Sequence, residues 1–318
     1  MRAVHWNIEK ALRRAGIERA LREEPGLADA DLVLLNEVDV GMARSGNLDV
    51  AASLGAALGR FAAWAPMFLE ITAGRDDDVA AAGGRGNAEG LLGLAGLSRW
   101  PLGAVRVVEL PSPSEFQFEV ERMFGRHVAL VAEVLRPGAP FVAVAAHLEV
   151  HRGRAHRAAQ VRAAAEALRG ETRPVILGGD FNTHTFDRGV PLASLRAGLP
   201  LLLAPEAALE RRFVRPFEGR TREFLFDELR DAGFAWEPFT DFAPTLRLRF
   251  ERVREARGLS TLLGPFRNAV LARMERRALL KLDWFAGRGW SGGRGWTVVG
   301  LDGPEGLSDH APVGAEFR

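Results

Sequence analysis

Ile176-Leu-Gly-Gly-Asp180-Phe-Asn182-Thr183 is an apolar run that ends in two glycines and then delivers a carboxylate and a carboxamide two residues apart. A buried strand presents an active site in this way. Side chains i and i+2 of a strand share a face, so Asp180 and Asn182 can point at one small target while Phe181 points away. Asp and Asn also form turns after strands, and the segment alone reads equally well as an Asx turn.

Four other segments tip that balance. Met1-Arg-Ala-Val-His-Trp-Asn7 is a short strand that stops at Asn7, and Leu32-Val-Leu-Leu-Asn36-Glu37 is an apolar run that stops at Glu37. Phe141-Val-Ala-Val-Ala-Ala-His147 stops at His147, and Leu307-Ser-Asp309-His310 stands just before the last strand. Any one of these polar groups could be a turn residue. Together they supply Asn, Glu, His, Asp, Asn, Asp and His, the side chains of a metal-assisted hydrolase. Glu37 with Asn7 offers hard oxygen ligands for an ion such as Mg²⁺, which takes few carboxylates and keeps several waters.

Seven segments follow one another along the chain: the Asn7 strand, Asn36-Glu37-Val38-Asp39, Leu97-Ser98-Arg99-Trp100-Pro101, Ala146-His147-Leu148, Gly179-Asp180-Phe181-Asn182, Leu282-Asp283-Trp284-Phe285 and Ser308-Asp309-His310. In these, and over nearly its whole length, the chain resembles the endonuclease/exonuclease/phosphatase superfamily, which includes pancreatic-type deoxyribonucleases, abasic-site endonucleases, sphingomyelinases and inositol-phosphate phosphatases. Glu37-Val-Asp39-Val-Gly-Met-Ala-Arg44-Ser-Gly-Asn-Leu-Asp49-Val50, with Arg157 and Gln160 after His147, looks like a bacterial branch of metal-dependent hydrolases.

The resemblance implies a role for each matching residue. Glu37, supported by Asn7, holds a divalent ion, Mg²⁺ or Mn²⁺, against a phosphate oxygen, where it acts as a Lewis acid. Asp180 orients or deprotonates the attacking water, and Asn182 fixes that water or the phosphate. Asp283 accepts a hydrogen bond from His310, which holds one imidazole tautomer and raises its basicity. Asp309 lies near the metal, and His147 donates to a nonbridging oxygen as charge develops. Arg44, Arg99, His151, Arg247 and Arg249 are expected at the substrate, with Arg99 alternatively bridging two sheets. His5, His127, His156 and His184 are background, although His184 lies close enough in sequence to line the site. One departure stands out. The related branch often has His and Asn where this chain has Leu92 and Leu94, in a region that supplies a partner for the histidine matching His147. Glu70 or Glu89 is expected to substitute, or else His147 lacks an orienting carboxylate.

Composition fits an enzyme of one catalytic domain spanning residues 1–318, with 47% apolar and 26% charged residues. There is no cysteine, hence no disulfide framework and no thiolate chemistry. Forty arginines against two lysines, with abundant alanine and glycine, read as the codon bias of a GC-rich bacterium. The first strand opens at Met1 and already carries Asn7, so no signal peptide is expected ahead of it. No apolar run approaches the ~20 residues that cross a bilayer, and the expected location is the cytoplasm.

Strands are expected near 3–7, 32–36, 93–98, 105–110, 127–135, 141–146, 175–177, 282–285, 296–301 and 313–317. Helical periodicity covers 10–22, 49–58, 154–168 and 222–232 and recurs between 246 and 280. This α+β pattern suits a four-layer αββα sandwich of two mixed sheets with outer helices, whose strand ends converge on one cleft. Residues 73–90, with Asp76-Asp77-Asp78, read as a mobile loop with solvated acids.

A basic helical insertion is expected at about 187–281. From Arg247 to Lys281 it carries ten basic and three acidic residues in a chain of net charge +1, flanked by Phe250, Phe266, Trp284, Trp290 and Trp296. Such a surface can neutralise a nucleic-acid backbone and stack unpaired bases, or meet an anionic membrane surface. It reads equally as an amphipathic helical pair with its arginines in water. The leading expectation is therefore a metal-dependent phosphodiesterase acting on nucleic acid, DNA or RNA. The alternatives are a phosphatase or phosphodiesterase of a small molecule or phospholipid headgroup, and a catalytically silent scaffold.

Overall fold

In the computed structural model, which describes residues 1–118, 121–186, 193–249, 264–303 and 305–318, alternation along the first strand separates two cores. In β1 (Arg2–Asn7), Val4 and Trp6 pack outward with Ile17 and Leu21 of α1 (Arg14–Glu23) and Leu54 of α2 (Val50–Leu58). Ala3 faces the other way, into the core between two sheets.

The larger sheet has eight strands. Its order is β14 (Gly293–Thr297), β15 (Val313–Phe317), β1, β2 (Leu32–Val40), β4 (Leu91–Ser98), β3 (Phe61–Glu70), β7 (Glu121–Gly125) and β6 (Glu115–Phe118). The β1–β2 pair is parallel and its neighbours are antiparallel, so the sheet is mixed. The second sheet runs β13 (Asp283–Arg288), β10 (Val175–Asp180), β9 (Phe141–His147), β8 (Val128–Val134) and β5 (Leu102–Glu109), with β9–β10 parallel. Leu34, Leu94, Leu130, Ile176, Phe285 and Phe317 fill the space between the sheets. On the outer face of the second sheet, α4 (Arg154–Ala167) and α7 (Leu225–Asp231) bury Val161, Leu225, Phe226 and Leu229 against Leu177 and Trp284. The expected αββα sandwich is therefore the observed architecture.

Differences from the expected elements have local causes. Helix α1 begins at Arg14 rather than Lys10, because Glu9, Lys10 and Ala11 adopt φ of +44°, +60° and +55°, outside the right-handed helical basin. Strand β3 lacks the β-branched residues that mark strands, and its Pro66 sits at a register shift against β4, so alternation does not betray it. The stretch read as a mobile acidic loop contains α3 (Asp77–Ala82), and Asp78 is buried in an ion pair with Lys10 at 2.8 Å.

The expected insertion divides in two. Helix α7 belongs to the outer layer of the sandwich. Helices α5 (Ala193–Leu203), α6 (Glu206–Phe213) and α8 (Gly264–Arg277), with the short hairpin of β11 (Leu246–Arg247) and β12 (Leu279–Leu280), build a satellite core of Leu201, Leu209, Phe213, Met274 and Leu280.

Candidate active site

Register brings the site together. Across the second sheet, Asp180 stands opposite His147 on one side and Asp283 on the other, so three adjacent strands deliver three polar groups at one level. Across the larger sheet Asn7 stands opposite Asn36, and Asn36 Nδ2 donates to Ala146 O of the facing sheet at 2.9 Å. Strict alternation would send Glu37 away from that side. A bulge between Asn36 and Val38 and a φ of +57° at Glu37 break the alternation and re-aim the carboxylate. A non-glycine residue in this region stores strain, which functional sites commonly carry.

Asn7 Nδ2 then donates to Glu37 Oε1 at 3.1 Å and to Asp180 Oδ2 at 3.3 Å, while Asn7 Oδ1 accepts from Glu9 N at 3.2 Å. Two carboxylates thus converge on one nitrogen, one from each sheet. Asn182, at φ +49°, gives its backbone N–H to Asp180 Oδ1 at 2.9 Å and its Nδ2 to Leu148 O at 2.8 Å. The segment is therefore an Asx turn and a site segment at once, since the turn is what holds the Asp180 carboxylate in place.

The loop before β15 closes over this group. Ser308 Oγ donates to Asn7 O at 2.6 Å and accepts from His310 N at 3.1 Å, and Trp6 Nε1 donates to His310 O at 2.9 Å. His310 Nδ1 lies 2.8 Å from Asp283 Oδ2, which leaves Nε2 facing Asp180 Oδ2 at 3.7 Å. His147 Nε2 approaches the same Asp180 oxygen at 3.5 Å.

The electrostatics follow from burial and charge. Burial raises the Asp180 pKa and the Asp283 charge adds to this, while His310 and His147 oppose it only in part. Burial alone would lower the His310 pKa, but Asp283, Asp180 and Asp309 outweigh it and hold the imidazole well above its ordinary value. Asp283 resists burial through His310 and His5 and stays well below the usual carboxylate range.

Among the described residues, Asp180, Asp283 and His310 form a buried group with ligand atoms within 4.8 Å of one another. Both Asp283 oxygens are taken by imidazoles, whereas Glu37 Oε1 and Asp180 Oδ2 meet at the Asn7 amide nitrogen, where a cation could be held between them. A buried aspartate and a half-buried glutamate sharing one amide nitrogen form a site that a small hard divalent ion fits.

The expected substrate residues fare unevenly. Arg44 is corrected: it is fully buried, donating to both Asp39 oxygens at 2.9 Å and to Glu70 Oε2 at 2.7 Å, so it braces the strand carrying Glu37 and touches no substrate. Arg99 is also corrected. It pairs with Asp31 at 2.8 Å beyond Leu32, at the end of β2 opposite Glu37. Arg247 is exposed, and its neighbour Leu246 bridges to His310, so Arg247 sits at the rim of the site, with Arg249 half-buried two residues on. His151 is exposed on the loop after His147, and Asp309 is half-buried beside His310.

Glu70 belongs to Arg44 and Glu89 is exposed, so neither orients His147. Among the described residues the carboxylate paired with His147 is Asp180 alone. Leu92 and Leu94 lie in the inter-sheet core, and the His147 ring instead meets the edge of His127, centroids 6.4 Å apart.

The basic patch shrinks. Lys281 is buried over the Trp284 ring at 5.3 Å, and burial lowers its pKa to about 8. Arg277 caps α5 by donating to the carbonyls of Leu201, Leu202 and Ala204. Trp284, Trp290 and Trp296 pack into the sandwich. Arg273 and Arg276 are exposed, whereas Phe250, Arg252, Arg254 and Arg257 lie outside the described residues.

Two groups escaped sequence reasoning. His5 is fully buried with Nε2 3.0 Å from Asp283 Oδ1, and its position two residues before Asn7 on the same strand face was the signal. Arg157 holds Glu223 through Nε at 3.1 Å and Nη2 at 2.7 Å and lies 3.2 Å from His184, pinning the chain just after Asn182.

A model of the endonuclease/exonuclease/phosphatase family matches residues 4–310. Comparison with curated proteins by sequence gave no match. Among solved structures, an endonuclease/exonuclease/phosphatase from Beutenbergia cavernae is 18% identical with a TM-score of 0.57, aligning all of this chain with 71% of that one. A 3′-5′ exonuclease from Neisseria meningitidis, 16% identical, gives 0.54 over 100% of this chain and 99% of that one. Truncated Caenorhabditis elegans TDP2, 14% identical, gives 0.54 over 99% and 96%. Identities this low establish a shared fold. No helix among the described residues is long and apolar enough to cross a membrane.

Proposed function

The chain belongs to the endonuclease/exonuclease/phosphatase family of phosphoric ester hydrolases, and on that premise we propose that it is a divalent-metal-dependent phosphodiesterase of nucleic acid. The observation that carries this reading is the convergence of Glu37 and Asp180 on one Asn7 nitrogen, with His147 and the His310–Asp283 pair facing Asp180. Glu37 and Asp180, helped by Asn7, would hold Mg²⁺ or Mn²⁺, a hard ion suited to oxygen donors. Bound there, the ion supplies Lewis-acid stabilisation of a phosphoryl oxygen.

The protein's own groups do the rest. Asp180, whose Oδ2 is faced by both His147 and His310, orients a water and takes its proton. His310, kept protonated by Asp283, offers its Nε2–H to a phosphate oxygen, and His147 offers a second N–H. Each such donor contributes about 10²–10³ in turnover where charge develops in a partly dry site.

Nucleic acid is favoured as substrate by the exposed Arg247 beside His310 and by the exposed Arg273 and Arg276 of α8. The 3′-5′ exonuclease activity named for the Neisseria protein lies on the same fold and agrees with it. A small phosphoester or phospholipid headgroup is the second reading, supported by the withdrawal of Arg277 and Lys281 into the fold. The lack of cysteine suits a reducing bacterial cytoplasm.

The test is hydrolysis of bis(p-nitrophenyl) phosphate and of single- and double-stranded DNA with Mn²⁺, Mg²⁺ or EDTA, in wild type, Asp180→Asn and His310→Ala. Metal-dependent cleavage of both substrates, lost in both variants, is expected. Turnover of the diester without DNA cleavage transfers the site to the small-molecule reading, and no turnover under any metal refutes it.

A further inference from the structure

Asp283 carries two histidines, one on each oxygen. His310 Nδ1 takes Oδ2 at 2.8 Å and His5 Nε2 takes Oδ1 at 3.0 Å, with Asp283 and His5 both fully buried. His310 comes from the loop before β15 and His5 from β1, neighbouring strands of the larger sheet, so both bonds to Asp283 of the second sheet cross the sandwich.

An ionised carboxylate has no proton to give, so each imidazole must turn an N–H toward it. This puts an N–H of His310 Nδ1 and an N–H of His5 Nε2 on Asp283 and leaves His310 Nε2 toward Asp180. The other nitrogen of His5, Nδ1, is buried and has no hydrogen-bond partner among the described residues. A buried polar atom left unsatisfied costs about 1–3 kcal/mol, which packing alone gives no reason to bear. A carboxylate held at one oxygen can still swing about its Cβ–Cγ bond, and one held at both oxygens by two separately anchored imidazoles cannot.

We propose that His5 is a positioning residue for hydrolysis: by occupying Asp283 Oδ1 it locks the carboxylate plane and thereby the aim of His310. The inference rests on the phosphodiesterase reading, in which His310 faces the phosphate. Since His5 also lies two residues from Asn7 on one strand, it couples the carboxylate end of the site to the histidine end through β1 itself.

The experiment compares His5→Leu, His5→Gln and His5→Asn with wild type and with His310→Ala, each assayed on bis(p-nitrophenyl) phosphate with Mn²⁺ and each measured for Tm. His5→Leu is expected to lower kcat by about 10–100-fold, the range typical for the loss of a partner that orients an active-site ligand, with KM within about twofold. Glutamine can place an N–H where Nε2 stood and asparagine cannot reach, so His5→Gln recovers most of the loss and His5→Asn does not. In the His310→Ala background, His5→Leu costs nothing further. An equal loss in both backgrounds, or indistinguishable Gln and Asn variants, overturns the proposal. A second readout is independent of turnover. In ¹⁵N-histidine spectra the His310 Nδ1–H is protected from solvent exchange in wild type and His5→Gln and exchanges rapidly in His5→Asn. Inactive wild type with this pattern intact refutes the phosphodiesterase reading alone, whereas a protected His310 proton in His5→Asn refutes the role of His5.

Discussion

Replacing Arg44 by methionine is expected to lower stability by about 3–5 kcal/mol while leaving KM for a diester within about twofold. The size follows from what the guanidinium holds. Arg44 satisfies both oxygens of Asp39 and one of Glu70, and all three side chains are completely buried, with Asp78 a further 3.8 Å contact. Methionine fills a similar volume but strands two carboxylates in a dry interior. Burial pushes Asp39 up to about 6 even against the opposing pull of Arg44. Its folded pKa therefore lies above the ordinary 3.8, so the folded state binds the proton more readily than the unfolded chain, and stability grows as pH falls through the folded pKa toward 3.8. Without Arg44 that folded pKa moves higher still. The deficit of the variant is thus largest at alkaline pH and narrows as the medium is acidified. Urea titrations followed by tryptophan fluorescence at pH 8 and about pH 5.5 measure both quantities. A variant as stable as wild type at pH 8 whose KM rises tenfold or more refutes the reasoning and returns Arg44 to the substrate.

Other outcomes are equally concrete. Glu37→Gln removes one of two converging carboxylates, and calorimetric titration should show Mn²⁺ affinity reduced about tenfold or more while urea stability stays near wild type. Lys281→Met should stabilise the protein at pH 7 by on the order of 1–3 kcal/mol, because burial lowers the lysine pKa to about 8. In wild type the unfolded chain binds the proton more readily between that value and 10.5, so stability rises with pH across the window, and a methionine variant with a flat profile is the check. In metal-free protein, the raised His310 pKa contributes stability that is complete below 6.5 and fades as pH climbs through the folded value. Wild type and His310→Ala should therefore converge in Tm toward alkaline pH, and parallel profiles would contradict the assignment.

Much of this molecule was legible residue by residue because strands advertise themselves where they end. The apolar runs before Asn7, Glu37, His147 and Asp180 stop abruptly at a polar residue, and pairing register does the rest by placing Asp180 between His147 and Asp283. The direction of Glu37 was not legible, since it depends on a bulge that shows no pattern in sequence. His5 was readable only in part: its face was set by Asn7, but its partner lies 278 residues away. The arginines misled for a plain reason. Charge suggests a surface, and Arg44 and Arg277 are instead consumed by carboxylates and carbonyls inside the fold. Strand β3 stayed hidden because alanines and Pro66 replaced the branched residues that alternation relies on.

The pairing of β1 with β15, Ala3 against Ala315, also sets the order in which the enzyme can come into being. His5 leaves the ribosome early and must wait for Asp283, and Asn7, which meets Glu37 and then Asp180, is joined by Ser308 and His310 only at the end. Contacts of such long sequence separation form late and slowly. A nascent chain is therefore without its complete hydrolytic centre, even where metal is plentiful, until translation of the domain is all but finished.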